Sequence, residues 1–320
     1  MAQIPMNEGH LVEADDGMFF GLGAFETIAV ENGRPALLPW HAQRMAEALQ
    51  FLGIRPPDNA NDLAGEESGN GRESRHVGGD DGSEWSAARC LALMERACVE
   101  SVCVPAGGAE PAVPAAGPGM AGGRRVVKVT VTARNVMVSR RPNPYDDAAR
   151  RRGFSCRISM VRRNETSPFT LRKTLNYGEC ILEKRAARRD GVDEPLFLNS
   201  RGLVTEGATS TVFAVFNGTS GHTGSADGVV ATPPVSDGLL PGIMRRYVMN
   251  GWCVDERSLT LDELMEAREV FVTNSLMPAM PVRTLCDEQG RVLRTYPDSR
   301  YAHAITKRYM SEVAGLSASA

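Results

Sequence analysis

Apolar residues change their period several times along the chain, and each change predicts an element. Gly21 to Val30 reads as a glycine-punctuated turn running into an apolar strand, and Asn32-Gly33 marks a tight hairpin before the apolar run Pro35 to Leu38. Met45, Ala48, Leu49 and Leu52 then recur at helical spacing, which predicts a helix over Trp40 to Phe51 with Gly53 at its stop. His41 and Arg44 lie one turn apart on it. From Pro56 to Ser83 almost nothing can be buried, so the stretch reads as a mobile insertion. A second helix is expected over Glu84 to Val102, carrying Leu91, Met94, Cys98 and Val102 on one side. The Pro/Ala/Gly-rich segment Val104 to Gly123 follows as a linker or long loop.

The pattern then turns denser. Val127, Val129 and Val131 alternate with Lys128, Thr130 and Thr132 at the period of a half-buried strand, and Phe154 to Val161 reads as another. A loop over Arg163 to Phe169 precedes a helix from about Asn176 to Asp190, ended by Gly191. A strand Pro195 to Leu198, the turn Ser200-Arg201-Gly202 and the apolar run Val212 to Phe216 follow. Gly238 to Gly242 is a turn before a helix starting near Ile243. Thr260 and Glu263 form a capping box for a helix over Leu261 to Ala267, and Val270 to Thr273 is a short strand. No repeat at solenoid periods is visible, so the expectation is an α+β or α/β chain. At 320 residues two domains are expected, divided after residue 162: a smaller one over 1–162 with the two insertions and a larger one over 163–320.

Composition narrows the function classes. A formal charge of -3 lacks the basic field that nucleic-acid binding needs, and local runs such as Arg150-Arg151-Arg152 read as solvated faces or anion contacts. No apolar run is long enough to cross a bilayer and the start lacks a secretion signal, so a cytoplasmic protein is expected. Seven cysteines without paired C-x-x-C spacing suit reduced thiols, and five scattered histidines suggest no metal set.

Three segments hold candidate chemistry. Lys173, in Arg172-Lys173-Thr174-Leu175-Asn176-Tyr177, is expected near a helix start, where positive potential favours a neutral amine. Glu206 reads either as a solvated strand-end charge or as a carboxylate held in a dry site against a heterocycle nitrogen. Gly238 to Arg245 is either an ordinary turn or a phosphate cradle at a helix start. Arg44 and the segment Thr273-Asn274-Ser275 offer further anion contacts.

In order and spacing these segments resemble the fold-type IV, class IV aminotransferase-like enzymes of pyridoxal phosphate. That family includes branched-chain aminotransferases, D-amino acid aminotransferases and 4-amino-4-deoxychorismate lyases. The likeness is carried by Gly21 to Thr27, His41-x-x-Arg44, Lys173 to Tyr177, Glu206-Gly207, Leu240 to Ile243 and Thr273 to Pro278. It implies a two-domain fold like that of D-amino acid aminotransferase, with pyridoxal 5'-phosphate in the cleft between the domains, a small-molecule substrate and a homodimer. It further implies that Lys173 forms the imine with the cofactor and that Glu206 faces the ring nitrogen. Arg44, the Ile243 and Met244 amides and Ser275 would hold the phosphate, and the Phe20 to Thr27 segment, with Phe25 and Thr27, would line the substrate side beside Arg134 and Asn274. Two positions depart from the family: Thr211 stands where Asn is usual, and Met244 where Thr is usual, which removes one side-chain phosphate contact.

Within the family, Asn274 to Val282 looks like the lyase version of its segment. The Arg-Gly…Arg-x-His group of the D-amino acid enzymes is missing around Ala133-Arg134-Asn135. The expectation is therefore conversion of 4-amino-4-deoxychorismate to 4-aminobenzoate and pyruvate, with branched-chain or D-amino acid transamination, or a non-catalytic relative, as the alternatives.

Overall fold

The structure, a computed structural model, describes residues 3–5, 11–55, 85–99, 124–218 and 228–313. The two expected insertions lie outside the described residues, as do the two ends of the second predicted helix. Contacts divide the chain into a first unit of residues 1–142 with 173–176, and a second of residues 143–172 with 177–320. This grouping differs from a division after residue 162. The strand at 154–163 is hydrogen-bonded between two strands of the second unit, while residues 173–176 pair with a strand of the first.

In the first unit, β1 (Gln3–Pro5) and β2 (Leu11–Glu13) form a two-stranded ribbon, and a short helix α1 (Asp16–Phe20) follows. The main sheet is antiparallel, in the order β4 (Arg34–Pro35), β3 (Gly23–Glu31), β5 (Arg125–Thr132), β6 (Val136–Pro142). Asn32 and Gly33 both take positive φ, 50° and 78°, as the hairpin signal requires, because that backbone matches the twist of the flanking strands. The expected run to Leu38 is cut short: α2 (Leu38–Phe51) starts there with a proline in its first turn. α2 and α3 (Ala87–Val99) pack together beside this sheet. The core between them joins Ile28, Val30, Met45, Leu49, Met94, Val127, Val129 and Val131. The alternation read in β5 therefore sends its valines inward and leaves Lys128 and Thr130 on the other face.

The second unit is built on a ring of strands. β7 (Phe154–Arg163) runs parallel to β8 (Glu194–Asn199), and β8 pairs with β9 (Val204–Gly207). β10 (Thr211–Phe216) pairs with β13 (Glu269–Asn274), β13 with β14 (Met277–Cys286), and β14 returns to β7. One pair, Glu206 with Thr211, joins β9 to β10 and closes the circuit. β11 (Val229–Thr232) and β12 (Val254–Glu256) extend it beyond β10, and β15 (Val292–Thr295) pairs with β14. The core includes Cys156, Ile158, Leu196, Val212, Val272, Met277, Met280 and Leu285, all buried.

Helices cover this sheet: α4 (Asp147–Arg152), α5 (Gly178–Arg189), α6 (Ile243–Gly251), α7 (Leu261–Glu266) and α8 (Arg300–Glu312). The capping box of α7 is formed as expected, Thr260 and Glu263 each bonding the other's backbone. No helix among the described residues is long and apolar enough to cross a membrane. Within this unit Glu194 is fully buried and is held by Lys184 of α5, by the Thr209 amide at 2.8 Å and by the Ser210 hydroxyl at 2.8 Å. Lys184→Met leaves that carboxylate without its cation. The expected loss is about 3–5 kcal/mol of unfolding free energy, read as a lower urea midpoint with an unchanged slope.

Candidate active site

The candidate residues fall into two groups, one in each unit. In the first, β3 points Phe25 and Thr27 to one face of the sheet and Glu26 to the core face, as the period of a strand requires. A buried carboxylate needs partners, and α2 supplies them. Arg44 donates from Nε and Nη2 to the two oxygens of Glu26, each at 2.7 Å, and His41 Nδ1 lies 2.6 Å from the same carboxylate. His41 and Arg44 meet one acceptor because residues three apart share a helix face. Burial pushes the Glu26 carboxyl up, but the charge of Arg44, then that of His41, and their hydrogen bonds outweigh it and hold the group below the usual carboxylate range. Burial drives His41 the other way and lowers its pKa, against the pull of Glu26.

Arg44, expected to hold phosphate, thus has two nitrogens committed to Glu26. It is buried rather than a surface cation. The sequence signal for this triad was present but unread: a Glu at an inward strand position, between Ala24 and Ile28, demands cations from whatever packs on that face.

Lys173 precedes a helix, as expected, but α5 starts five residues later, too far for the helix dipole to favour a neutral amine there. Instead the segment 173–176 lies against β3. Phe25 N donates to Lys173 O at 3.0 Å, Leu175 N donates to Gly23 O at 2.8 Å, and Thr174 bridges Ala24. Asn176 Nδ2 adds a bond to Gly21 O at 3.0 Å. The backbone that carries the amine is thereby held on a sheet, and Lys173 Nζ stands 4.4 Å from the centre of the Phe25 ring.

A second amine shares that ring. Lys128 Nζ lies 4.6 Å from its centre, half-buried, and burial with the charge of Arg141 pulls its pKa below the usual lysine value. In the alternating pattern Lys128 had passed for a polar residue on the solvent side. Its register opposite Thr27 puts it beside the substrate-side candidates. Arg134 is instead largely exposed, with Glu13 3.6 Å away.

In the second unit, register assembles the remaining candidates. Thr211 is the cross-strand partner of Glu206 on one side and of Thr273 on the other, so the three stand in a row about 5 Å apart. Glu206 accepts from Arg163 Nη2 at 2.9 Å through one oxygen and from Leu240 N at 3.0 Å through the other. Paired with a guanidinium it is ionised, and its oxygens keep acceptor capacity for a ring N–H. Arg163 was not singled out in the sequence, since 43 residues separate it from its partner.

The Leu240 bond ties Glu206 to the turn that opens α6. Gly242 is the N-cap of α6 and no side chain caps it, so the amides of Ile243 and Met244 are not used within the helix. A Cβ at Gly242 would fall 2.8 Å from the Thr211 hydroxyl, and nearby in register the Thr273 hydroxyl is buried without a partner among the described residues. An uncapped helix start, a space that only glycine leaves open and an orphaned hydroxyl together suit a phosphate. Met244 turns its side chain inward, fully buried, so its contribution there is the backbone amide.

Asn274, a substrate-side candidate, is spent on its own turn. Its Oδ1 accepts from the Leu276 and Met277 amides at 2.9 and 3.1 Å, and its Nδ2 donates to Thr209 O at 3.1 Å. Ser275 sits half-buried in that turn. Each group, taken by itself, fits a part of pyridoxal phosphate: the first unit an amine on a fixed backbone, the second a carboxylate suited to a ring nitrogen beside an anion cradle.

Comparison with known proteins agrees. The family model described as amino-transferase class IV matches residues 113–285, more than half of the chain. A curated relative in Methanocaldococcus jannaschii, a putative branched-chain-amino-acid aminotransferase, is 35% identical over 141 residues, covering 42% of this chain and 43% of the relative. A probable branched-chain-amino-acid aminotransferase of Synechocystis is 32% identical over 140 residues, with 42% and 43% covered. The matched region thus spans less than half the length of these curated relatives. Among solved structures, a hypothetical aminotransferase from Mycobacterium tuberculosis superposes with a TM-score of 0.66 at 20% identity, covering 98% of this chain and 99% of the other. A 4-amino-4-deoxychorismate lyase from Pseudomonas aeruginosa gives 0.64 at 22% identity, with 95% of each chain covered. These structural likenesses show the shared fold.

Because the folded-state pKa of Glu26 is depressed, its stabilisation is present above the ordinary value of 4.5 and is lost as pH falls through and below it. Urea unfolding across pH 3 to 7 is expected to show Glu26→Gln well below the parent at neutral pH. The gap should narrow as the solution is acidified below about 4.5. A constant gap would mean that the charge of Glu26 is not what holds α2 on the sheet.

Proposed function

The chain belongs to the amino-transferase class IV family and is a pyridoxal-phosphate-dependent enzyme of fold-type IV, and on that premise we propose that it is a lyase converting 4-amino-4-deoxychorismate to 4-aminobenzoate and pyruvate. The observation that carries this reading is the second amine on the Phe25 ring. Both products are carboxylates, so their parent carries two, and a half-buried ammonium over the ring that Lys173 also meets suits such a substrate better than a branched aliphatic side chain. The lyase-like run Asn274 to Val282, with the Asn274-built turn at its start, supports the same reading.

The cofactor, when bound, supplies an electron sink for the carbon that bears the substrate amine. Lys173 Nζ is the base that takes the proton from that carbon. The electron pair released breaks the bond to the enolpyruvyl oxygen and makes the ring aromatic, which drives the step strongly downhill; the enolate set free takes up one proton at its methylene carbon and becomes pyruvate. Glu206, kept ionised by Arg163, accepts a hydrogen bond from the cofactor ring nitrogen. The α6 amides of Ile243 and Met244, with Thr211 and Ser275, hold the phosphate. Arg44 acts through Glu26 and the strand that bears Phe25, and also as a phosphate contact. Thr27 and Lys128 line the substrate side, and the working form is a homodimer.

The names of the curated relatives favour a second reading, branched-chain amino transfer. One paired assay separates the two. Purified protein is expected to release pyruvate from aminodeoxychorismate and to transfer little amine from leucine to 2-oxoglutarate. Transamination of leucine without pyruvate release would overturn the lyase reading and leave the family assignment untouched. Borohydride reduction of the loaded protein is expected to leave a pyridoxyl adduct on Lys173, and Lys173→Ala to lose both the adduct and the visible absorption band. Lys128→Met is expected to raise KM for aminodeoxychorismate about tenfold or more with a smaller change in kcat, the loss of one charge-assisted contact made to ground state and transition state alike.

A further inference from the structure

Outside the residues assigned to the cofactor, the second unit carries a groove of about 250 Å³ between α4 and α8. Its floor is apolar, from Ala279 and Pro281 of β14 and Ala302 of α8. Its walls are not. Arg150 and Arg151 come from the last turn of α4, His303 and Lys307 from successive turns of α8, and the one acid is Asp147.

The charges are unevenly matched. Arg150 uses one nitrogen, Nη2, on Asp147, while its Nη1 is buried without a hydrogen-bond partner among the described residues. Arg150 therefore stands behind the groove wall: it adds positive charge there, and neither terminal nitrogen is offered as a direct contact. Arg152, next in the same run, is excluded, because it forms a two-pronged pair with Asp193 at 2.8 and 3.0 Å. His303 Nδ1 lies 2.6 Å from Ser299 O, which fixes the ring and leaves Nε2 for another partner. Thr306, between His303 and Lys307 on α8, spends its hydroxyl on Ala279 O at 3.2 Å and so ties α8 to the groove floor. The walls are therefore fixed by the packing of α4 and α8 on β14, and an anion would meet a preformed site.

We propose that this groove binds a small, multiply charged oxyanion, a phosphate or carboxylate compound, held by Arg151 and Lys307 over an apolar floor, with the charge of Arg150 behind them. Guanidinium forks favour such planar or tetrahedral oxyanions, and three cations against one carboxylate leave the site net positive. Because β14 begins at the Asn274-built turn, a ligand here would load the strand that also carries Ser275 at its entrance.

The test is calorimetric titration of the holoenzyme, with its own phosphate cradle filled by cofactor, using inorganic pyrophosphate and citrate as probes. Saturable binding of at least one probe is expected, and which of them binds identifies the phosphoryl or carboxylate source. Arg151→Glu and Lys307→Glu, both at exposed positions whose folding a melting curve verifies, are each expected to weaken binding about tenfold or more. Absence of saturable binding by both probes, or binding that both variants leave unchanged, overturns the proposal.

Discussion

Closure of the strand ring by the Glu206 and Thr211 pair is the constraint on which the second unit's chemistry depends. β9 is only four residues long and meets β10 at that pair alone. The same two residues carry the carboxylate assigned to the ring nitrogen and the hydroxyl that faces Gly242. A sheet that closes there cannot shift register without inverting which side chains face inward. The Leu240 amide then fastens Glu206 to the start of α6, so carboxylate and anion cradle are spaced by covalent geometry and two hydrogen-bonded strands rather than by a flexible loop. Arg163 adds the charge that keeps the carboxylate ionised in a buried setting.

The first unit solves a different problem. It must hold an amine on a short connecting segment, and it does so by treating residues 173–176 as an extra edge to β3. β3 is in turn tied to α2 by the buried Glu26, Arg44 and His41 group. This makes Arg44 a residue with structural work to do whatever else it touches: removing it would strand a carboxylate in the core under the strand that bears Phe25. Phe25 is the piece both amines share, a flat apolar surface whose ring face attracts cations.

Much of the fold was legible because local chemistry and tertiary need agreed. Asn32-Gly33 demanded a primed turn, Val127 to Val131 alternated, and Thr260 with Glu263 announced α7. Elements went unread where the two disagreed. β14 contains Pro278 and Pro281, which argue against a strand, yet it pairs on both sides. α8 buries only Ala302, Ile305 and Tyr309, too thin a stripe to stand out among charged neighbours. For the site, resemblance picked out Lys173, Glu206 and the Gly242 turn, but it assigned each residue one role. It did not reveal that Asn274 is consumed by its own turn, that the backbone of Lys173 is bonded to β3, or that Arg163 pairs with Glu206 and Lys128 meets the Phe25 ring. The Asn274 turn is local, its bonds reaching only two and three residues on, but the others depend on pairings between residues far apart in the chain, which no local window contains.

The first unit is discontinuous: its own sheet ends at Pro142, and the four residues that complete it arrive only after thirty others have been laid into the second unit. During synthesis the sheet of β3 to β6 can form early, but its edge stays open until the chain has been extended past Asn176. The amine is thus fitted late, onto a scaffold already standing. A nascent chain arrested before that point would hold the aromatic platform of Phe25 without the amine that rests on it.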